Sequence, residues 1–249
     1  MQEDELSGED ILNLTTKKDI FKQINASKIW SIIMAIITII VIFLCLSIVC
    51  FKSRYTISEV SGQSMQNTFN ANSTSSNDEN NEMVIYCLQK TYDRGDVIIY
   101  DHEGTLVIKR IIALGGDRLK VTATSVGFMR TEYKFYLNGE IIEEPYLDEE
   151  HSDMSTKYQE FTKLCKTYKN YVDDSGYFVI PEGYFFYMGD NRTNSSDCMS
   201  YGPQKMNDNL LGKVIYKFDS KIEEDIVKLY YIELKVFYSM LFNKLEPNF

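Results

Sequence analysis

Apolar residues are spread along this chain in two distinct ways. Residues 29–51 form an uninterrupted run without a charged side chain, and at ~1.5 Å per residue a helix of that length crosses the ~30 Å hydrocarbon core of a bilayer. A cleavable signal peptide has a shorter apolar region of ~7–15 residues and no long acidic leader, so the segment is expected to remain as an anchor. Residues 1–28 are polar, first acidic and then carrying Lys17, Lys18, Lys22 and Lys28, whereas only Lys52 and Arg54 closely follow the run. The positive-inside rule then predicts a cytoplasmic tail at 1–28, a transmembrane helix at 29–51, and an extracytoplasmic remainder.

Beyond the anchor the apolar residues fall in short runs that read as strands. Residues 83–88 and 97–100 flank the turn-forming Tyr92-Asp93-Arg94-Gly95-Asp96. Residues 106–114 carry apolar side chains on both faces and end at Gly115-Gly116-Asp117, as a buried strand does. Residues 133–137 and 140–142 flank Asn138-Gly139, a pair that tolerates the positive φ angles of a type I′ hairpin turn. Residues 177–180, 184–188 and 214–218 complete the set. The Asn- and Ser-rich stretch 70–82 reads as a flexible loop, and the charged stretch 148–176 as a polar excursion from the sheet.

This pattern predicts a mainly β fold: an antiparallel β-sheet domain over 52–220 with an N-terminal transmembrane helix and a helical C-terminal tail at 221–249. The longest uncharged run of that tail, 236–243, is too short to span a bilayer. Packing on the domain and lying at the membrane surface both remain open for it.

Composition sharpens this picture. Eighteen Tyr and fourteen Phe against four Pro favour strands. A net charge of −10 argues against a phosphate backbone as partner, so no nucleic acid is expected. Cys45 and Cys50 lie in the apolar run and Cys87, Cys165 and Cys198 outside it, with no CxxC or Cys/His spacing of a metal site. His102 and His151, the only histidines, sit in acidic, turn-like surroundings and read as surface residues. A Ser-His-Asp triad is thereby removed unless one of their loops folds back.

Two residues then stand out. Ser64 lies in the Gly-containing bend Val60-Ser61-Gly62-Gln63-Ser64-Met65-Gln66-Asn67-Thr68-Phe69, just past the anchor. Lys109 lies inside the buried strand, on one face with Val107 and Ile111, while Arg110 shares the other with Ile108. Such a lysine either snorkels to water from a strand edge or is held neutral because desolvation disfavours its ammonium. Farther on, Gly189-Asp190-Asn191-Arg192, Ser195, Asp197 and Gly202-Pro203 form a loop dense in turn residues and functional groups.

Ser64-Met65, Arg94-Gly95-Asp96, Val107-Ile108-Lys109-Arg110, Gly116-Asp117 and Gly189-Asp190-Asn191-Arg192, in this order behind an anchor, resemble bacterial type I signal peptidase over about residues 30–218. The resemblance implies a membrane-anchored serine protease whose partners are the signal peptides of exported preproteins and the membrane lipid. Small side chains are implied one and three residues before the cut. No cofactor and no metal are implied. Ser64 corresponds to the nucleophile and Lys109 to the general base, Ser195 to the serine that helps orient the lysine, and Asp197 to the acidic residue of the same loop. The Ser64 backbone N–H is implied as an oxyanion donor.

Five positions depart from the family pattern. Asn67 and Gly115 stand where proline is usual, and Gly62 where some members carry a second, hydroxyl oxyanion donor. Cys198-Met199 replaces a Ser-Arg pair, which takes away the usual basic partner of Asp197. Two other functions compete: a self-cleaving Ser/Lys protein of the repressor type, which the anchor and the acidic charge oppose, and a non-catalytic membrane-anchored protein of the same fold that binds exported polypeptides.

Overall fold

A single helix, α1 (Gly8–Lys52), carries the chain through both the segment read as a polar tail and the apolar run. The sequence explains its continuity, for after Gly8 it contains neither Gly nor Pro. Within it, Asn25–Lys52 is long and apolar enough to cross a membrane. The computed structural model describes residues 8–69, 82–89, 91–128, 130–207, 209–222 and 225–242. The loop read at 70–82 therefore lies, up to residue 81, outside the described residues. The chain divides into two compact units, Met1–Cys50 and Phe51–Phe249.

The second unit is built from β1 (Thr56–Glu59), β2 (Glu82–Cys87), β3 (Val97–His102), β4 (Thr105–Leu114), β5 (Arg118–Ser125), β6 (Thr131–Leu137), β7 (Glu140–Ile141), α2 (Ser155–Thr167), β8 (Phe178–Val179), β9 (Tyr184–Met188), α3 (Cys198–Tyr201), β10 (Gln204–Lys205), β11 (Leu210–Asp219) and α4 (Ile226–Leu241). Seven strands form a sheet in the order β1-β2-β11-β3-β4-β9-β10, and four form a second in the order β7-β6-β5-β8. Every pairing is antiparallel. The Asn138-Gly139 turn has φ of 55° and 96° and sets Leu137 opposite Glu140, as the hairpin reading predicts.

Strand β4 explains the architecture around the site. It lies between β3 and β9, with Lys109 opposite Ile98 and Arg110 opposite both Val97 and Met188. Both of its faces are covered. Ile111 belongs to a core cluster with Tyr187, Cys198 and Met199, and Ile108 to another with Val60, Met65 and Phe69. Burying Met65 and Phe69, which are 1% and 0% exposed, is worth roughly 1.5–3 kcal/mol each. Met65 and Phe69 thus pin the bend around Ser64 to the sheet from below.

Three sequence readings are changed by the structure. The excursion at 148–176 contains α2, whose buried Lys157, Phe161 and Leu164 recur at i, i+4 and i+7 as one helical stripe. Strand β5 escapes the sequence pattern, because only Leu119 and Val121 of its alternation are buried. His151, read as a surface residue, is 8% exposed: its ring Nδ1 lies 2.7 Å from Asp148 Oδ1 and its carbonyl accepts from the Arg192 N–H. His102 is half-buried, with its ring centroid 4.4 Å from that of Tyr201.

The C-terminal helix packs on the domain. In α4, Ile232 and Val236 join Phe51, Met83, Ile85 and Phe218 in a third core cluster. The helix starts where the Asp225 carboxylate accepts from the Val227 and Lys228 N–H groups at 3.2 Å each, an N-cap that satisfies otherwise orphaned donors.

Candidate active site

The bend after β1 turns back on itself through Gly62, whose φ of 82° is open to glycine and strained for other residues. Hydrogen bonds from the Gln66 N–H to the Gln63 carbonyl and from the Thr68 and Phe69 N–H groups to the Met65 carbonyl close it into consecutive turns. Asn67 has φ of 88°. A proline, locked near −65°, does not fit that conformation. The bend that a family proline would stiffen is held differently here: the Asn67 side-chain amide donates to the Tyr146 carbonyl.

The loop after β9 then clamps this bend. The Asn191 N–H donates to the Ser64 carbonyl at 3.0 Å, and the Asp190 N–H points at Met65 Sδ at 3.4 Å. A Cβ at Gly189 would collide with the Ser64 carbonyl and with Ser195 Oγ, so only glycine permits this approach. Asp190 is fully buried, pairs with the Arg110 guanidinium at 2.6 Å and accepts from Thr68 Oγ1 at 2.5 Å. Arg110 also donates to the Gly95 carbonyl at 2.8 Å and stacks 4.0 Å from the Tyr146 ring centroid. Arg192, 1% exposed, donates to the Gly189 carbonyl and forms a two-pronged ion pair with Glu144.

Within this frame Lys109 Nζ lies 2.6 Å from Ser64 Oγ and 3.0 Å from the Ile108 carbonyl. Lys109 is 4% exposed. Burial lowers its pKa from 10.5 to about 8; the Asp197 carboxylate opposes this change, the Lys157 ammonium adds to it, and Asp190 opposes it further. The side chain is thus buried and does not reach water from a strand edge. A cleft of about 110 Å³ opens over the pair, lined on one side by Ser58 to Ser61 and on the other by Leu106 and Val107.

Gly62, Ser64, Met65, Lys109, Asp190, Asn191, Arg192, Ser195 and Asp197 are thus brought into one neighbourhood. Ser195 behaves differently from its expected part. Its Oγ is buried without a hydrogen-bond partner among the described residues, so no orienting bond from it to Lys109 is formed. Asp197, 0% exposed, caps α3 by accepting from the Met199 N–H at 3.1 Å and also receives the Gly189 N–H at 3.3 Å. A basic partner for Asp197 is present after all, from an element that sequence reasoning missed: Lys157 Nζ lies 3.0 Å from its Oδ2. The signal for it was the placing of Lys157 on the apolar stripe of α2. Among the described residues no cluster of His, Cys, Asp and Glu is placed to hold a metal.

An antiparallel β domain that sets a buried lysine amine against a serine hydroxyl is the class these observations define. The family model for signal peptidase, peptidase S26, matches residues 29–218, and the chain belongs to that family. Signal peptidase I of Pseudomonas aeruginosa is 33% identical over 134 residues, covering 49% of this chain and 44% of the relative. Signal peptidase I S of Bacillus subtilis is 33% identical over 106 residues, covering 43% and 48%. The chain thus spans about half the length of the curated relatives it matches. A solved signal peptidase I from Enterococcus faecalis aligns over 50% of this chain and 97% of its own, with 23% identity and a TM-score of 0.31.

Proposed function

We propose that this protein is a membrane-anchored serine endopeptidase that removes N-terminal signal peptides from exported preproteins. The observation that carries the proposal is the 2.6 Å approach of Lys109 Nζ to Ser64 Oγ in a buried setting. A serine hydroxyl is a poor nucleophile until a base takes its proton, and an amine titrating at about 8 is substantially neutral under mildly alkaline conditions.

In this mechanism neutral Lys109 accepts the Ser64 proton as Oγ attacks the scissile carbonyl. The Ser64 N–H helps hold the resulting oxyanion. Lys109, now an ammonium, gives its proton to the leaving amine, and water releases the acyl group by the same route in reverse. The substrate lies extended in the cleft beside β1, which is an edge strand of the seven-stranded sheet, so backbone hydrogen bonds hold it and shallow pockets select small side chains. The Lys-rich flank before the apolar helix puts the N-terminus in the cytoplasm and the peptidase domain outside.

The test is conversion of a preprotein to its mature form by the full chain in detergent. Ser64→Ala abolishes processing, and Lys109→Ala lowers its rate by about 10²–10⁴-fold. Processing by either variant at the parent rate refutes the assignment of that residue, whereas no processing by the parent favours a binding protein of the same fold.

A further inference from the structure

Lys157 projects from the buried stripe of α2, and its side chain is 1% exposed. Its ammonium has three donors, and three acceptors surround it: the Ser195 carbonyl at 2.6 Å, Asp197 Oδ2 at 3.0 Å and Glu160 Oε2 at 3.0 Å. A buried cation is tolerated only when its pairing is this complete. The residues it holds lead directly to the candidate nucleophile, since Asp197 receives the Gly189 N–H and Gly189 abuts the Ser64 carbonyl.

We propose that Lys157 is a positioning residue of the active site: it substitutes for the basic partner missing beside Asp197, fastens the loop from Ser195 to Asp197, and balances the charge that Lys109 faces. The inference rests on the reading of Ser64 and Lys109 as nucleophile and base. Lys109 is faced by Ser64 from the bend after β1, Asp190 from the loop after β9, Asp197 and Cys198 from the start of α3, and Lys157 from α2. Burial pushes the Cys198 thiol well above its ordinary pKa and keeps it uncharged. The balance therefore falls to two carboxylates and one ammonium. Removing the Lys157 charge takes away a repulsion and leaves the Asp197 carboxylate facing Lys109 with its own counter-ion gone. Both changes favour the protonated form of Lys109.

The experiment is titration of Lys109 in the full chain in micelles, by NMR of 13Cε-labelled lysine with the resonance assigned by its loss in Lys109→Met. This readout does not require cleavage, so failure of the parent to process a preprotein and failure of this inference are separate results. Lys157→Met raises the Lys109 midpoint by about one pH unit or more, from about 8 in the parent, and moves the pH–rate profile with it. An unchanged or lowered midpoint overturns the inference. Should Lys157→Met not fold, the double variant Lys157→Met/Asp197→Asn, which leaves neither charge of the pair alone, carries the test. Its midpoint falls at or below that of the parent, and a midpoint above the parent overturns the inference.

Discussion

Replacing Lys109 by methionine turns the burial of this amine into a measurable dependence of stability on pH. The folded-state pKa of about 8 lies below the 10.5 of an unperturbed lysine, so between those values the unfolded chain binds a proton that the folded chain does not. Stability contributed through this group therefore rises with pH across that window. At pH 7 both states are protonated, and the folded state carries a penalty of about 3 kcal/mol, because each pH unit separating the two pKa values is worth ~1.36 kcal/mol. At pH 9.5 the same linkage leaves about 1 kcal/mol. Lys109→Met has no such contribution, so relative to this variant the parent gains about 2 kcal/mol from pH 7 to pH 9.5. Guanidinium unfolding of both proteins in micelles measures the difference, and taking the difference cancels the groups they share. Trp30, the only tryptophan, lies in α1, so the β domain is followed by near-UV circular dichroism of its tyrosines. Burial raises the pKa of Tyr100 and Tyr187, which keeps both un-ionised over this range. Parallel stability curves for the two proteins refute a depressed Lys109 and with it the neutral base.

Other outcomes follow from the same geometry. Peptidase activity rises with pH to a midpoint near the Lys109 value of about 8; a rate that stays flat until pH approaches 10.5 contradicts a desolvated base, as initial-rate profiles on a peptide substrate will show. Asn67→Pro, although it restores the usual family residue, destabilises the domain by about 1–3 kcal/mol, because φ of 88° is closed to proline; a variant as stable as the parent in denaturant titration shows the bend to be wrong. Glu144→Ala strands the buried Arg192 guanidinium and costs about 3–5 kcal/mol, much of which Glu144→Ala/Arg192→Met recovers in a double-mutant cycle.

Strands β3, β4 and β9 were legible because each is a short apolar run beside turn residues, whereas β1, with no buried residue in its four, was not read. β9 coincides with residues 184–188 as read, and the Asn138-Gly139 turn follows from local chemistry alone. Ser64 and Lys109 were legible for another reason, since their motifs occur in a fixed order, yet the 2.6 Å between side chains 45 positions apart depends on sheet pairing that no local pattern encodes. The helical stripe of α2 was hidden by the many charged residues around it. His151 was misread for a similar reason: acidic neighbours in sequence suggested water, whereas Asp148 and Arg192 enclose it in space.

The departures from the family pattern show most sharply what sequence comparison leaves out. Taken one position at a time, Asn67, Gly115 and Cys198-Met199 look like lost stiffness and a lost ion pair. In space each change is accommodated. Asn67 adopts a conformation proline cannot and ties itself to Tyr146. A Cβ at Gly115 would sit 3.1 Å from Glu182 Cα and the Pro181 carbonyl, so the turn before β9 packs tightly against this glycine. The cation beside Asp197 comes from Lys157, whose ammonium also holds the Ser195 carbonyl 38 positions away. A buried carboxylate requires a counter-charge but not one from a particular place in the chain. Motif matching therefore registers an absence at the position after Cys198, where the physical requirement is met from another element.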